Sequence, residues 1–362
     1  GNADLKWETT DELNTGLDLA LWGGRLNMTM DAYSKMTKDL LLIERLPYSS
    51  GYASTWNNVG MVSNKGLEFS INARAVEKKD FTISAGINFG YNENVVEDAG
   101  GSADGLFGPS NGALHINNTI ILREGEPLGS FYGYKYLGVW QEDEAEQAAL
   151  YDVTPGGGIK AEPGDPRFLD VNNDSILDDE DKMILGHALP KINYGINLRM
   201  RYKNFQLTAS GYGAWGHKIF NLPRVKLENN GGGMALRSVL DAWRAPGTDG
   251  PDDPGNVSKT MPRANSNNFI GGFVTDRWLE DGSFFKISNI TLSYAFPQII
   301  YSKVKLSNLR LSITAQDFFM FTNYSGYTPE VNSHPQGNLN MGHDEGGYPP
   351  SRMITFGINA SF

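Results

Sequence analysis

The chain has 362 residues and no cysteine, so disulfide frameworks, thiolate catalysis and Cys-ligated zinc are excluded. Its formal net charge of −11 argues against a nucleic-acid partner, because phosphates require clustered Lys and Arg. No apolar run approaches the ~20 residues of a membrane-spanning helix, whereas 42 Gly, 18 Phe and 16 Tyr are typical of a large all-β unit.

Eleven segments alternate apolar and polar residues, the period that places successive side chains on opposite faces of a strand. In chain order they are residues 13–21, 26–32, 67–73, 81–91, 119–123, 130–139, 192–200, 205–209, 290–296, 309–315 and 353–362. Just before the ninth, Phe285 and Ile287 lie on the parity opposite to Ile290 and Leu292. This change of parity predicts a β-bulge between the two pairs.

The connections between these segments alternate in length. Long connections (37–59, 94–117, 141–190, 214–283, 318–351) separate short ones (23–24, 77–80, 124–127, 203–204, 297–307). Outer-membrane barrels have short periplasmic turns and long extracellular loops, whereas a soluble β-sandwich, the alternative fold, has no reason to alternate. The last strand also ends on an aromatic residue, Phe362, as a closing barrel strand does at the membrane interface. We therefore expect a transmembrane antiparallel β-barrel, with this chain supplying about eleven strands and a periplasmic C-terminus.

Several motifs then support a specific resemblance. They are Asn14-Thr-Gly-Leu-Asp-Leu followed by Asp31-Ala-Tyr33, Asn58-Val-Gly60 with Asn64-Lys-Gly-Leu-Glu68, the acidic stretch from Pro163-Gly-Asp165 to Gly186-His-Ala-Leu-Pro190, Asp281-Gly-Ser-Phe-Phe-Lys-Ile, and Phe321-Thr-Asn-Tyr-Ser-Gly-Tyr-Thr-Pro-Glu330. In this order they resemble the C-terminal part of the SusC/RagA type of TonB-dependent outer-membrane transporters of Bacteroidetes-like bacteria. The match covers residues 1–362, without a counterpart of the family's signal peptide, TonB box or plug.

The resemblance implies a function and partners. Family barrels have about 22 strands, so an eleven-stranded chain would have two unpaired edges and would need the N-terminal part of the same barrel and its plug. Such transporters import bulky nutrients, oligosaccharides or oligopeptides, with a SusD-like surface lipoprotein as lid and TonB as the energy source. We expect connections 141–190, 214–283 and 318–351 to contact that lipoprotein, and the strands to contact outer-membrane lipid.

One acidic loop has the spacing of a calcium site. Oxygen donors occupy positions 1, 3, 5, 7, 9 and 12 of an EF-hand-like loop, the seventh as a backbone carbonyl: Asp170, Asn172, Asp174, Ile176, Asp178 and Asp181. Ser175 replaces the glycine of such a loop, and Asp181 replaces its bidentate Glu. The alternative is a solvated Asn/Asp-rich turn without metal. No organic cofactor is expected.

The aromatic residues form two sets. Tyr202, Phe296 and Phe362 stand at periplasmic strand ends, where barrels carry an aromatic girdle. A second set lies in or beside the long connections, where flat rings either bind sugars and peptides or pack the loops themselves: Trp56, Trp140, Trp215, Trp243, Tyr324 and Tyr327.

Other functions have weaker support. Gly211-Tyr-Gly213-Ala-Trp-Gly216 matches a dinucleotide fingerprint in spacing, but it follows a strand that leads into a long loop and not into a helix. Acid pairs such as Asp178 and Asp179 could serve as glycosidase carboxylates, but a run this acidic favours solvation or metal binding, and no nucleophile elbow or zinc-protease motif occurs. A siderophore or cobalamin receptor, and a barrel-anchored adhesin or enzyme, remain alternatives. We expect no enzymatic activity.

Overall fold

The computed structural model describes residues 5–45, 49, 51, 54–100, 104–107, 116, 118–152, 158–228, 234–264, 273–301, 306–331, 333 and 341–362. Within these ranges the elements are, in chain order, β1 (Thr9–Leu21), β2 (Leu26–Lys38), β3 (Leu41–Arg45), β4 (Ser54–Asn58), β5 (Met61–Lys78), β6 (Phe81–Asp98), β7 (Gly105–Phe107), β8 (Ile120–Leu122), β9 (Ser130–Tyr134), β10 (Tyr136–Val139), α1 (Ala145–Ala148), β11 (Pro166–Phe168), β12 (Lys182–His187), β13 (Ile192–Tyr202), β14 (Phe205–Trp215), β15 (Lys218–Asn221), α2 (Leu222–Glu228), β16 (Leu279–Asp281), β17 (Phe284–Ala295), α3 (Gln298–Tyr301), β18 (Asn308–Thr322), β19 (His343–Asp344) and β20 (Met353–Ser361). None of the helices in these ranges has the length and apolarity needed to cross a bilayer.

Among the described residues, nine long strands form one antiparallel sheet in the order β1-β2-β5-β6-β13-β14-β17-β18-β20. Each strand pairs with its neighbour along the chain, apart from the small elements inserted in the long connections. Within the described ranges, β1 and β20 are each paired along one edge only. The barrel is therefore not closed by this chain.

The two faces of the large sheet differ in polarity. On the outer face, cross-strand neighbours form apolar rows such as Met28, Ile71, Ile87 and Ile196. On the inner face, polar residues of six strands line one concave surface. The outer side chains stay exposed, Phe356 at 78%, and no second sheet covers them within the described ranges. The sheet is therefore a single curved wall and not one of two packed layers with a shared core. This rules out the soluble β-sandwich.

The expectation of about eleven membrane strands was wrong, because nine strands form the wall in the part of the chain that the structure describes. Segments 119–123 and 130–139 are the short strands β8, β9 and β10, inserted between β6 and β13. All three residues of β8 are buried, and three residues are far fewer than the ~9–11 that span a membrane. Removing two adjacent strands leaves the direction of the others unchanged. Short turns (22–25, 79–80, 203–204, 296–307) therefore still alternate with long connections (39–60, 99–191, 216–283, 323–352).

The predicted bulge is confirmed. The register shifts between Ile287 and Asn289 against β18, and between Ser210 and Gly211 of β14. Against β14, Ser288 is the extra residue, and its hydroxyl donates to the Ser210 carbonyl oxygen at 3.0 Å. Against β18, two residues, Asp317 and Phe318, lie opposite Ser288. The bulge keeps the apolar residues before and after it on the outer face.

Aromatic rings form two rows on the outer face. At the short-turn end, Tyr202 contacts Phe81 edge-on, and Tyr294 lies between Phe205 and Phe296 with ring centroids 4.7 and 5.1 Å away. At the opposite end, the rings of Tyr194, Phe285 and Phe321 stack in sequence.

Gly213 leaves space for the aromatic row at the long-connection end, because a Cβ there would lie 2.5 Å from the Tyr194 ring and 2.2 Å from the Phe284 carbonyl oxygen. Tyr194 and Tyr202 are eight residues apart on β13, about 20 Å along the normal for a tilted strand. That distance suits the two girdles of a membrane barrel.

Three long connections fold together into one unit, the loop lobe, made of the described residues of 99–191, 216–283 and 323–352. Its core contains side chains from the first two connections, Ile120, Phe131, Ala188, Phe220, Val225 and Trp278, with Met341 of the third packed against them. Small sheets join the connections: β15 pairs with both β16 and β19. The lobe is therefore a packed structure on the long-connection side of the wall.

Candidate functional site

The inner wall near the short turns carries positive charge. Arg25, Arg74 and Arg199 line a cavity of about 450 Å³ together with Asn72 and Asn197. In the described part of the chain the nearest carboxylate of an ion pair to these arginines is Glu77, at 3.9 Å from Arg74. This end of the wall is thus basic, although the whole chain has a charge of −11.

The inner wall nearer the loop lobe is different. A second cavity of about 570 Å³ is lined by Asp31, Glu68, Asn88, Asn193 and Tyr212. Asp31 and Glu68 are direct cross-strand neighbours. Hydroxyl, amide and carboxylate groups therefore face the interior here, and they can hydrogen-bond a polar solute.

An ion-pair network joins the wall to the last long connection. Lys286 of β17 is only 6% exposed, and its ammonium lies 2.8 Å from Asp317 and 2.7 Å from Glu330. The Tyr212 hydroxyl also donates to Glu330. Asp317 has a left-handed φ of +58° opposite the Ser288 bulge. A buried ammonium is costly unless it is paired, so the bulge and the loop together satisfy Lys286.

Residues 324–330 are held at several points. The Tyr324 hydroxyl donates to Asp344 at 2.6 Å, and burial raises its pKa. The Ser325 amide and hydroxyl both donate to Glu280 at 2.7 Å. Glu330 fixes the far end through Lys286. Between these anchors Tyr327 is 77% exposed, so an aromatic ring is presented on a fixed backbone.

The six aromatic residues predicted as ligand contacts have different roles. Trp140, Trp243 and Tyr324 are buried, so their predicted ligand contact is corrected: Trp140 packs against Tyr151 and Arg167, and Trp243 lies over Gly164. These three rings stabilise the lobe and have no free face.

Three of the six rings are exposed. Trp215 follows Gly213 on the outer-face parity of β14, pairing with Ile192, so its ring belongs to the outer surface and not to the interior. Trp56 lies on β4, and Tyr327 lies in the anchored segment. These two are the predicted ligand contacts that stay predictions.

The acidic loop folds around its own backbone. Asp170 accepts hydrogen bonds from the Asp174 and Ser175 amides, and Asp181 accepts from those of Val171 and Asp178. Asp181 is buried, which raises its pKa.

Ser175, at the position of the EF-hand glycine, has a φ of +65°. The loop thus makes the turn that such a site needs, with Asn172, Ile176 and Asp178 also on it. The described residues contain no group of three or more His, Cys, Asp or Glu side chains positioned to hold a metal. The calcium site therefore stays a prediction.

Sequence reasoning missed the Lys286 network and the lobe core. Lys286 and Glu330 are separated by 44 residues, and no periodicity links them. The bulge was the one available signal, because it places Lys286 on the inner face and shifts Asp317 out of register. Similarly, His343 of the last long connection contacts the ring of Phe131 and is hydrogen-bonded to Thr119, both in connection 99–191.

Comparisons with known proteins agree with this architecture. A family model described as TonB dependent receptor-like, beta-barrel matches residues 1–328. TonB-dependent receptor P3 of Formosa agariphila is 34% identical over the whole chain, which covers 35% of that relative. TonB-dependent receptor SusC of Bacteroides thetaiotaomicron is 28% identical over the whole chain, which covers 32% of it. The chain thus spans about a third of the length of these relatives.

A solved structure of the RagAB peptide transporter superimposes with a TM-score of 0.76. It is 23% identical, and the match covers 100% of this chain and 36% of that chain. At this identity the likeness establishes the fold.

Proposed function

The chain belongs to the TonB-dependent receptor-like β-barrel family, an outer-membrane family, and on that basis we propose that it forms part of a transporter importing bulky nutrients. The observation that supports this most is the combination of a polar concave wall with a packed loop lobe on one side of it. A passive pore needs no such lobe. The relatives are named as receptors, so the proposed role is transport and not catalysis.

The rest of the barrel is the first proposed partner. β1 and β20 each present an open edge in the described sheet, and lipid-exposed edges are not stable in a membrane. We propose that strands from the remainder of the longer protein pair with both edges and enclose a plug on which TonB acts. In this arrangement the outer face contacts outer-membrane lipid, the lobe is extracellular and the C-terminus is periplasmic.

A SusD-like surface lipoprotein is the second proposed partner. The loop lobe offers it a rigid base, and Met234, Leu240 and Val257 are exposed on connection 216–283. The sequence neighbours of two of these residues, Ser258 and Asp241, are joined by a hydrogen bond of 3.0 Å. Large apolar side chains that stay exposed on a polar surface favour a protein interface.

The proposed cargo is an oligosaccharide or oligopeptide. Tyr327 is exposed while its backbone is anchored on both sides, so stacking on its ring would cost little conformational entropy. The hydroxyl, amide and carboxylate groups below can hydrogen-bond either kind of polymer. We propose that cargo contacts Tyr327 before it reaches the inner wall.

Uptake measurements test this function. Cells of the native host should take up pooled labelled oligosaccharides or pooled labelled peptides, and should lose that uptake when either this gene or TonB is removed. Uptake that persists without TonB would contradict the proposal. Loss of only siderophore or cobalamin uptake, without a copurifying lipoprotein, would favour a receptor for compact ligands.

The Tyr327 contact has its own test. In the intact transporter, Tyr327→Ala should weaken binding of the transported pool about tenfold, the effect of losing one stacked ring (roughly 1–2 kcal/mol). Tyr327→Phe should retain most of the affinity. Tyr348→Ala is the matched control, because Tyr348 is also highly exposed on the same connection, at 92%, and has no described anchor. Equal effects of the two alanine variants would refute a special role for Tyr327.

We also propose that the loop 170–181 binds Ca²⁺ as a stiffening ion. Its oxygen donors follow the EF-hand spacing in sequence, and Ser175 has the left-handed φ of the glycine in such a loop. Addition of millimolar Ca²⁺ should protect the amides of this loop from hydrogen exchange, whereas Mg²⁺ should not. Asp174→Asn should weaken that protection. Identical hydrogen exchange with calcium and with a chelator would reject the calcium site and favour the alternative, a solvated turn without metal.

A further inference from the structure

The fourth short turn differs from the other three. Turns 79–80 and 203–204 contain two residues and turn 22–25 contains four, whereas turn 296–307 is longer and includes the helix α3. Ile299 and Ile300 of this helix are 75% and 48% exposed. A tight connection between strands does not require isoleucine, and two exposed isoleucine side chains are unfavourable in water. Their exposure therefore suggests that they contact an apolar environment.

The helix α3 follows directly in the chain on the aromatic row at the short-turn end of the outer face. Phe296 begins the turn, and its ring lies 5.1 Å from that of Tyr294, which in turn lies 4.7 Å from Phe205. The Phe296 amide donates to the Leu309 carbonyl oxygen at 2.9 Å, and that of Ile300 to Pro297 at 3.0 Å. The backbone is therefore tied to β18 and to its own turn, and the two isoleucines follow Phe296 of the aromatic row at the short-turn end by three and four residues.

We propose that α3 lies in the periplasmic leaflet of the outer membrane, with Ile299 and Ile300 in contact with lipid. A short amphipathic segment is stable at the boundary of headgroups and acyl chains because its apolar side chains leave water while its polar groups stay hydrated. The anchor would fix the depth of the strands on either side of it. This inference rests on the membrane location proposed above.

Spin-label accessibility tests the proposal in the intact transporter reconstituted in lipid nanodiscs. The chain has no cysteine, so nitroxides can be placed at Ile299→Cys, at Leu292→Cys on the outer face, and at Lys79→Cys in a two-residue turn. At 299 and 292, oxygen should relax the label more than a water-soluble nickel chelate does. At 79 the order should be reversed.

Three other outcomes are distinct. A label at 299 that responds mainly to the nickel chelate would place α3 in water and overturn the inference. A label that responds to neither agent would show that protein covers the helix, which also overturns it. If the label at 292 itself responds mainly to the chelate, the proposed membrane location fails together with the inference.

Discussion

The buried Lys286 in the wall and Glu330 in the last long connection form an ion pair at 2.7 Å. The pair joins strand β17 to the last long connection. It anchors the C-terminal end of segment 324–330, which carries Tyr327. Because Lys286 is also paired with Asp317 at 2.8 Å, loss of Glu330 would leave the ammonium partly compensated and would free the loop.

Glu330→Gln should therefore loosen residues 324–330 without unfolding the wall. A hydrogen bond to a charged group contributes about 1.5–3 kcal/mol, so amide exchange in this segment should become about 10- to 100-fold faster in the intact transporter. Glu146→Gln is the control, because Glu146 is exposed and has no described ion pair. Unchanged exchange in the Glu330→Gln variant would show that the remaining anchors suffice.

The two faces of β20 should respond differently to charge. Phe356 lies on the outer face opposite Ile313, and its neighbour Thr355 lies on the inner face opposite Thr314. Phe356→Arg should destabilise the barrel by about 2–4 kcal/mol, because the arginine enters lipid near the middle of the strand. Thr355→Arg should cost much less. Equal losses of heat-resistant folded protein in the two variants would reject this assignment of faces.

Deletion of Ser288 should be far more damaging than its substitution. Without this residue, which is extra against β14, one side of the strand slips by one position, so Phe285 and Ile287 would turn inward and Lys286 would face lipid. Ser288→Ala removes only the hydroxyl hydrogen bonds to Ser210 and should assemble almost normally. Comparable membrane assembly of the deletion and the alanine variant would mean that the bulge does not set the register.

Acidification should loosen the lobe at two histidines. Burial lowers the pKa of His217, against the opposing effect of Asp281, and burial also lowers that of His187. The unfolded state then binds protons more tightly than the folded state, so stability is lost as the pH falls below about 6.5 towards the lowered pKa.

Hydrogen exchange, corrected for the intrinsic effect of pH, should therefore increase in β15 and β16 near His217 and in β12 at His187. His217→Gln should abolish the change in β15 and β16 and leave it in β12. A pH dependence that persists in β15 and β16 of that variant would assign it to other groups.

The wall could be predicted from the sequence because its physical cause is local. Alternation along each strand determines which residues meet lipid, and even the bulge near Ser288 follows from the parity of Phe285 and Ile290. The same reasoning wrongly predicted membrane strands at segments 119–123 and 130–139. These are short strands of the loop lobe, in which Ile120 to Leu122 are buried. Periodicity alone does not separate a membrane strand from a short strand in a packed loop.

The candidate site was less predictable because it depends on distant contacts. Trp140 and Tyr327 are both aromatic residues in long connections, yet one is buried under Tyr151 and the other is exposed. Nothing near either residue in the sequence distinguishes them. The difference arises from the tertiary packing of three connections, as does the pairing of Lys286 with Glu330.

The topology of the wall is the central claim, and cysteine labelling in intact cells tests it most directly. Two single-cysteine variants are compared. Tyr348→Cys places the label in a long connection, and Lys79→Cys places it in a short turn on the opposite side of the wall. A membrane-impermeant maleimide should label position 348 on intact cells, and position 79 only after the outer membrane is permeabilised. Labelling of position 79 on intact cells, or protection of position 348, would contradict an outer-membrane wall with an extracellular lobe.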